Sequence, residues 1–163
     1  MLISRKGFSF MTNRFMLAAM DEAYKALEIG EIPIGAVIVK DNEIIARGHN
    51  LRQTLRDSTL HAEVVAIQEA CKVLKDWRLD ECDIYVTLEP CTMCAGAIIN
   101  ARMRRVFFGA FDPEYGGAGG KIDLFAPCYF GSKTEVYGGI MEKECTDFLN
   151  DFFKSIRNKN KTQ

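Results

Sequence analysis

The chain predicts an α/β fold in three layers, with one mixed five-stranded sheet, helices packed on both of its faces and the last two strands parallel. Two observations carry this. Segments of helical and of strand-like periodicity follow one another in the order α-β-β-α-β-α-β-crossover-β-α. The 25 residues between Gly109 and Glu135 are too many for a hairpin and enough for a crossover, which makes the strands they join parallel.

Each element has its own signal. Residues 12–29 read as an amphipathic helix because Phe15, Met16, Ala19, Ala23, Ala26 and Leu27 recur at helical spacing, and Gly30 supplies a stop. Residues 34–39 and 43–47 are rich in β-branched side chains and flank a tight turn at Asp41 and Asn42. After a polar loop over 49–59, residues 60–75 return to helical spacing through Val64, Val65, Ile67, Ala70, Cys71 and Leu74. Residues 83–88 read as a strand, 91–101 as a helix and 105–109 as a strand. The segment 110–134 is glycine-rich, with a short helical turn expected near 122–125; residues 135–137 form the last strand and 141–156 a closing amphipathic helix. The run Gly116-Gly117-Ala118-Gly119-Gly120 lacks the spacing and following Lys-Ser/Thr of a phosphate-binding loop, and reads as a flexible loop near the mouth of the site.

At 163 residues, 48% hydrophobic and 26% charged, the chain is one globular domain of ordinary size. It divides into an N-terminal extension (1–11), the main domain (12–156) and a polar basic tail (157–163). No stretch approaches the roughly 18 apolar residues of a membrane span. The apolar run at 15–20 is too brief for a signal-peptide core. The expected location is the cytoplasm. With 21 basic and 22 acidic residues no global field marks a nucleic-acid binder, although bases gather at Arg47, Arg52 and Arg56, at Arg102, Arg104 and Arg105, and along Lys154, Arg157, Lys159 and Lys161. Of six cysteines, Cys71, Cys82, Cys128 and Cys145 stand singly and read as free thiols, whereas Cys91 and Cys94 form a C-x-x-C pair.

Two segments bear chemistry: His61-Ala62-Glu63 and Pro90-Cys91-Thr92-Met93-Cys94. Zinc prefers imidazole nitrogen and thiolate sulfur, and a catalytic site uses three protein ligands and keeps one position open. His61, Cys91 and Cys94 give that count. The cysteines are three apart at a helix start, on one face, where the helix dipole favours thiolate; Pro90 suits the start of that helix. His61 and Glu63, two apart, divide the labour between metal and proton. Two thiolates largely cancel the charge of Zn²⁺, so a nearby carboxylate is chemically needed, and Glu63 is placed to take a proton from a zinc-activated water and return it to the reacting group. A closed structural zinc site needs a fourth N/S ligand, and the chain has only one other histidine, His49.

The combined pattern H-x-E…P-C-x-x-C is the signature of zinc nucleobase deaminases. At these residues the sequence resembles the tRNA-specific adenosine deaminases, which convert the wobble adenosine of an anticodon to inosine. The resemblance spans residues 15–153. It includes Glu31-Ile32-Pro33-Ile34-Gly35-Ala36-Val37, Gly48-His49-Asn50, Tyr85-Val86-Thr87-Leu88-Glu89-Pro90-Cys91, Met93-Cys94-Ala95-Gly96-Ala97 and Phe108-Gly109-Ala110. It implies a cytidine deaminase-like fold, one Zn²⁺ per subunit, a tRNA anticodon stem-loop as partner, and a homodimer in which the neighbouring subunit helps complete the substrate groove. It also implies that Asn50 hydrogen-bonds the flipped base, that Asp112 contacts the RNA backbone region, and that Phe153, beside Phe152, faces the substrate loop. On residue chemistry alone Asn50 is more often a turn residue and one of the two phenylalanines more often core than stacking surface, while Asp112 is equally a turn initiator before Pro113.

The sequence departs from the family pattern at Leu51, where many members have arginine (here Arg52 is one step on), at Phe111, where an arginine commonly precedes the aspartate, and at Gly131-Ser132-Lys133-Thr134, which replaces a basic segment. Each change removes or moves a phosphate contact. Competing readings are a deaminase of a free base or nucleoside (guanine, adenine or cytidine type) and a non-catalytic zinc-binding subunit; the presence of Glu63 argues against the latter.

Overall fold

The computed structural model describes residues 9–160; most of the N-terminal extension, residues 1–8, and the end of the tail, 161–163, lie outside them. Helix α1 (Ser9–Glu28) is followed by β1 (Gly35–Lys40), β2 (Glu43–His49), α2 (Ala62–Leu74), β3 (Asp83–Leu88), α3 (Thr92–Asn100), β4 (Arg105–Ala110), α4 (Pro127–Phe130), β5 (Glu135–Tyr137) and α5 (Glu142–Asn160). The five strands form one sheet in the order β2-β1-β3-β4-β5. β1 is antiparallel to β2 and β3, while the β3–β4 and β4–β5 pairs are parallel. The expected mixed sheet and parallel final pair are both present.

Local chemistry explains the boundaries. α1 stops where Gly30 adopts φ +80° and Glu31 N–H donates to the Ala26 carbonyl, a glycine-capped helix end. The β1–β2 turn places Asp41 and Asn42 at φ 48° and 67°, the pair of left-handed residues that a two-residue hairpin loop requires.

Alternation along the strands divides the core in two. Ala36, Ile38, Ile84, Val86, Val106 and Phe108 face α2 and α3, packing with Ala62, Ala66, Ala70, Ala95 and Ile98. Val37, Val39, Tyr85 and Phe107 face α1 and α5, packing with Phe15, Met16, Ala19, Cys145 and Leu149. On that second face Tyr85, Phe107 and Tyr137 are register partners. Their rings stack with centroids 4.5 and 4.9 Å apart, a ladder that favours this register over a slip. Asp83, 3% exposed, accepts from both Arg104 and Arg105 (Nε to Oδ1 2.9 Å in each case), pinning the start of β3 to the start of β4. Two of the three bases grouped at 102–105 are thus tied to a buried carboxylate.

The structure corrects three local expectations. The short helix of the crossover lies at Pro127–Phe130, not 122–125: Asp123 Oδ1 accepts from Phe125 N–H and turns the chain there, and Pro127 then suits a first helical turn. Helix α5 runs to Asn160 rather than 156, with Glu142 and Glu144 in its first turn and Arg157 and Lys159 in its last, charges that complement the helix dipole. α1 begins at Ser9, earlier than expected. No helix among the described residues is long and apolar enough to cross a membrane.

Three buried acids stay neutral in this core. Burial pushes the Cys82 thiol up to about 11 and the Cys145 thiol and Tyr85 phenol up to about 12. Their ordinary values are 9.0, 9.0 and 10.0. A folded-state value above the unfolded one gives stability that is complete below the unfolded pKa and lost as pH climbs through the folded one. Urea denaturation is therefore expected to show stability falling from about pH 9 to about pH 12, and Cys145→Ala should make that fall shallower; an equally steep fall in the variant would refute the assignment.

Candidate active site

The site lies at the carboxyl ends of the parallel strands β3 and β4, where open α/β sheets bind ligands. His61 is the N-cap of α2 (φ −73°, ψ 158°) and Cys91 the N-cap of α3 (φ −67°, ψ 173°), and neither side chain caps its helix. Both face inward instead, so two helix N-termini converge on one point. Pro90 is therefore one residue outside α3's cap, not its first helical residue, and its carbonyl accepts from Gly117 N–H at 2.7 Å.

His61 Nδ1 lies 3.7 Å from Cys91 Sγ and 3.6 Å from Cys94 Sγ. A tetrahedral centre with Zn–N of about 2.0–2.1 Å and Zn–S of about 2.3 Å sets an N···S separation of about 3.6 Å. All three donor atoms fall within 4.8 Å of one another. The donor set fits zinc in type, number and spacing. Cys91 is pulled down to about 4, chiefly by the hydrogen bond from the Cys94 thiol, and against burial by the contact with His61. Cys94, the donor in that pair, is pushed up by the same bond and by burial. The site thus carries a thiolate at neutral pH, the form that binds metal.

Glu63, in the first turn of α2, is 4% exposed. Burial is the main cause that pushes its carboxyl up to about 7. That value suits a group that must both accept and return a proton.

A cavity of about 740 Å³ opens over these groups, within the ordinary size of a small-molecule site. His61, Glu63, Cys91, Asp112 and Phe153 all line it. Cys94 is fully buried behind them. Asn50 is not among the lining residues: it is 6% exposed at the end of β2, and its Oδ1 accepts from Arg52 N–H at 3.4 Å, the local turn bond. Arg52 itself lines the cavity, whereas Leu51 does not. Asp112 also serves a turn, its Oδ1 accepting from Glu114 and Tyr115 N–H at 2.9 and 3.0 Å.

Residues 11–110 match the cytidine and deoxycytidylate deaminase zinc-binding region. The chain belongs to this deaminase family. It is 50% identical to the tRNA-specific adenosine deaminase of Bacillus subtilis over 90% of its own length and 91% of that protein's. Among solved structures it is similar to a tRNA:A34 deaminase, studied for A-to-I editing at the wobble position of transfer RNA, with 45% identity, TM-score 0.79, and coverage of 82% of this chain and 97% of the other. It is also similar to the guanine deaminase of Bacillus subtilis, with 49% identity and TM-score 0.58, over 60% of this chain and 63% of that one.

One residue of this deaminase had no role assigned from sequence. Glu89 is 2% exposed and its carboxylate accepts three backbone N–H bonds: Asp112 at 2.9 Å, Ala118 at 3.0 Å and Gly120 at 2.8 Å. A Cβ at Gly116 or Gly120 would collide with that carboxylate. The glycine run expected to be flexible is thus wrapped round an acid and bridged to Cys91 through Gly116. Its glycines allow close approach to Glu89.

Glu89→Gln turns one acceptor into a donor facing an N–H, at a cost of about 1–3 kcal/mol. Glutamine keeps its oxygen best toward Ala118 and Gly120, which share Oε1, so hydrogen exchange is expected to speed up at the Asp112 amide, which bonds Oε2, while the α2 and α3 amides keep wild-type protection; unchanged exchange at Asp112, Ala118 and Gly120 alike would remove Glu89 from this role.

Proposed function

We propose that this deaminase hydrolyses adenosine to inosine at the wobble position of a tRNA anticodon, with His61, Cys91 and Cys94 holding one zinc and Glu63 moving the proton. The observation that carries the substrate is likeness to a tRNA-specific adenosine deaminase at 50% identity over nine-tenths of both chains. The reaction is supported by the zinc-shaped donor set beside a buried carboxylic acid in one cavity.

When bound, zinc supplies Lewis acidity that makes water nucleophilic near neutral pH. The chain's own residues do the rest. Glu63 accepts a proton from the attacking water as a C–O bond forms at C6 of the adenine. It returns that proton to the ring nitrogen, then relays the remaining proton of the new hydroxyl to the amine, so that the C–N bond breaks, ammonia leaves and C6 becomes a carbonyl. Asn50 and Asp112 are assigned to the flipped base and the RNA backbone. Phe153, 42% exposed on α5, is assigned to a loop base. An anticodon loop suits such a site because its nucleotides can be turned out of the stack at low cost.

The working unit is read as a cytoplasmic homodimer built on the 12–156 domain, a reading supported by the family resemblance and by apolar surface at Val73, Trp77, Tyr129 and Phe130. A second reading, deamination of free guanine, is favoured by the 49% identity to a guanine deaminase.

Purified protein given an anticodon stem-loop with adenosine at the wobble position, beside free guanine, adenosine and cytidine, is expected to form inosine in the RNA alone. Turnover of guanine without inosine formation would replace the first reading with the second. Glu63→Gln should lower turnover by about 10²–10⁴-fold with zinc content unchanged, and loss of zinc would make Glu63 a ligand instead.

A further inference from the structure

Two aromatic side chains at the mouth of the cavity have no part in the proton chemistry. Phe111 is 49% and Tyr115 65% exposed, yet both line the cavity that contains His61 and Glu63. Leaving ring surface in water forgoes the stabilisation that burial brings, and neither ring stands on a loose segment. Phe111 directly follows β4 and meets the buried Phe108 edge-on, with centroids 5.0 Å apart and planes at 86°. Gly138 leaves room for both rings, since a Cβ there would lie 2.9 Å from Phe111 Cζ and closer still to Phe108. Tyr115 leaves the turn that Asp112 Oδ1 closes, and Glu89 fixes the start of that turn through Asp112 N–H. Aromatic groups held in advance lose little freedom on binding.

Charge does not explain this rim. Arg52 and Lys121 line the same cavity, but so do Asp112 and Glu114, and the four cancel. A surface chosen for phosphate alone would carry an excess of cations. What the rim offers instead is two ring faces beside the position a target base takes. Turning a base into the cavity deprives its neighbours in the strand of a stacking partner, and an aromatic side chain can replace it for any base.

We propose that Phe111 and Tyr115 form a stacking shelf for the nucleotides that flank the target base. The proposal rests on the RNA reading given above and deepens it. A free base or nucleoside has no flanking nucleotide, so the shelf adds affinity only for a polynucleotide. It is thus a specificity element for RNA over small substrates, placed on the loop that Glu89 ties to the metal-binding segment.

The test uses the full chain and an anticodon stem-loop with 2-aminopurine next to the target adenosine. Binding to wild type should quench the fluorescence as the probe stacks on a ring. Phe111→Leu and Tyr115→Leu keep apolar bulk, so unchanged melting temperatures are expected to confirm the fold. Each should reduce quenching and weaken RNA binding by about 10-fold, with the slope of log affinity against log salt kept. Lys121→Ala, which removes a charge, should instead flatten that slope by about 0.7 if it meets one phosphate. Wild-type quenching and affinity in both leucine variants, while the RNA is still converted to inosine, would overturn the shelf and leave the RNA reading standing. A wild-type chain that ignores the stem-loop and turns over a free base would overturn both.

Discussion

The arrangement of this molecule turns on holding one imidazole nitrogen and two sulfurs at tetrahedral edge lengths, 3.6 and 3.7 Å for the two N···S pairs. Three donors from segments thirty residues apart in sequence meet only if the starts of α2 and α3 lie side by side. Small residues make that possible. Ala62, Ala66 and Ala70 on α2 and Ala95 on α3 are all fully buried, and a Cβ at Gly48 of β2 would clash with the Ala62 carbonyl and the Ala66 amide. Helix α2 therefore sits directly on the backbone of β2. The unsatisfied N–H groups and dipoles of α2 and α3, equivalent to roughly half a positive charge each, converge on the point where thiolate charge collects.

The metal-binding segment and the substrate wall are one mechanical unit. Cys91 is flanked by Pro90, whose carbonyl accepts from Gly117, and Glu89 two residues earlier holds the amides of Asp112, Ala118 and Gly120. A change in the 112–120 loop is thereby felt next to the ligands, and the reverse. That coupling gives a physical reason for a glycine-rich stretch in a loop held by hydrogen bonds to Glu89 and Pro90. Five N–H or Cα positions crowd a single carboxylate and a proline carbonyl, and side chains there would force them apart.

Patterns that are local in sequence were legible. The strands 83–88 and 135–137 match the alternation and residue types seen there, the Asp41-Asn42 turn follows from the left-handed tolerance of those residues, and the metal donors announce themselves by type and spacing. What could not be read was long-range and carried by backbone. Glu89 meets amides 23 to 31 residues away, and a backbone N–H has no signature in the sequence. For the same reason the glycine run looked flexible, because composition cannot report the acid it encloses. Arg104 and Arg105 looked like a basic surface, but both close on Asp83, 21 and 22 residues earlier. The displaced short helix has a local cause, the Asp123 turn, which competes with helix at the place where helical spacing was read.

The site holds two carboxylic acids of nearly equal burial, Glu63 at 4% and Glu89 at 2% exposure, and their surroundings assign them opposite work. Three N–H donors surround Glu89, so three of its acceptor positions are committed to the protein backbone. Burial outweighs the backbone amide, the nearby His61 and the Cys94 thiol that favour the Glu63 carboxylate, and its carboxyl is pushed up to about 7. Burial that outweighs the donors around it raises the Glu63 carboxyl into the range where it exchanges protons. The H-x-E pattern singles out Glu63 in the sequence, whereas Glu89, also two residues from a candidate metal ligand, is marked by no such pattern. The count of N–H groups around each supports the proposal that Glu63 moves the proton, and ties Glu89 to the wall around it.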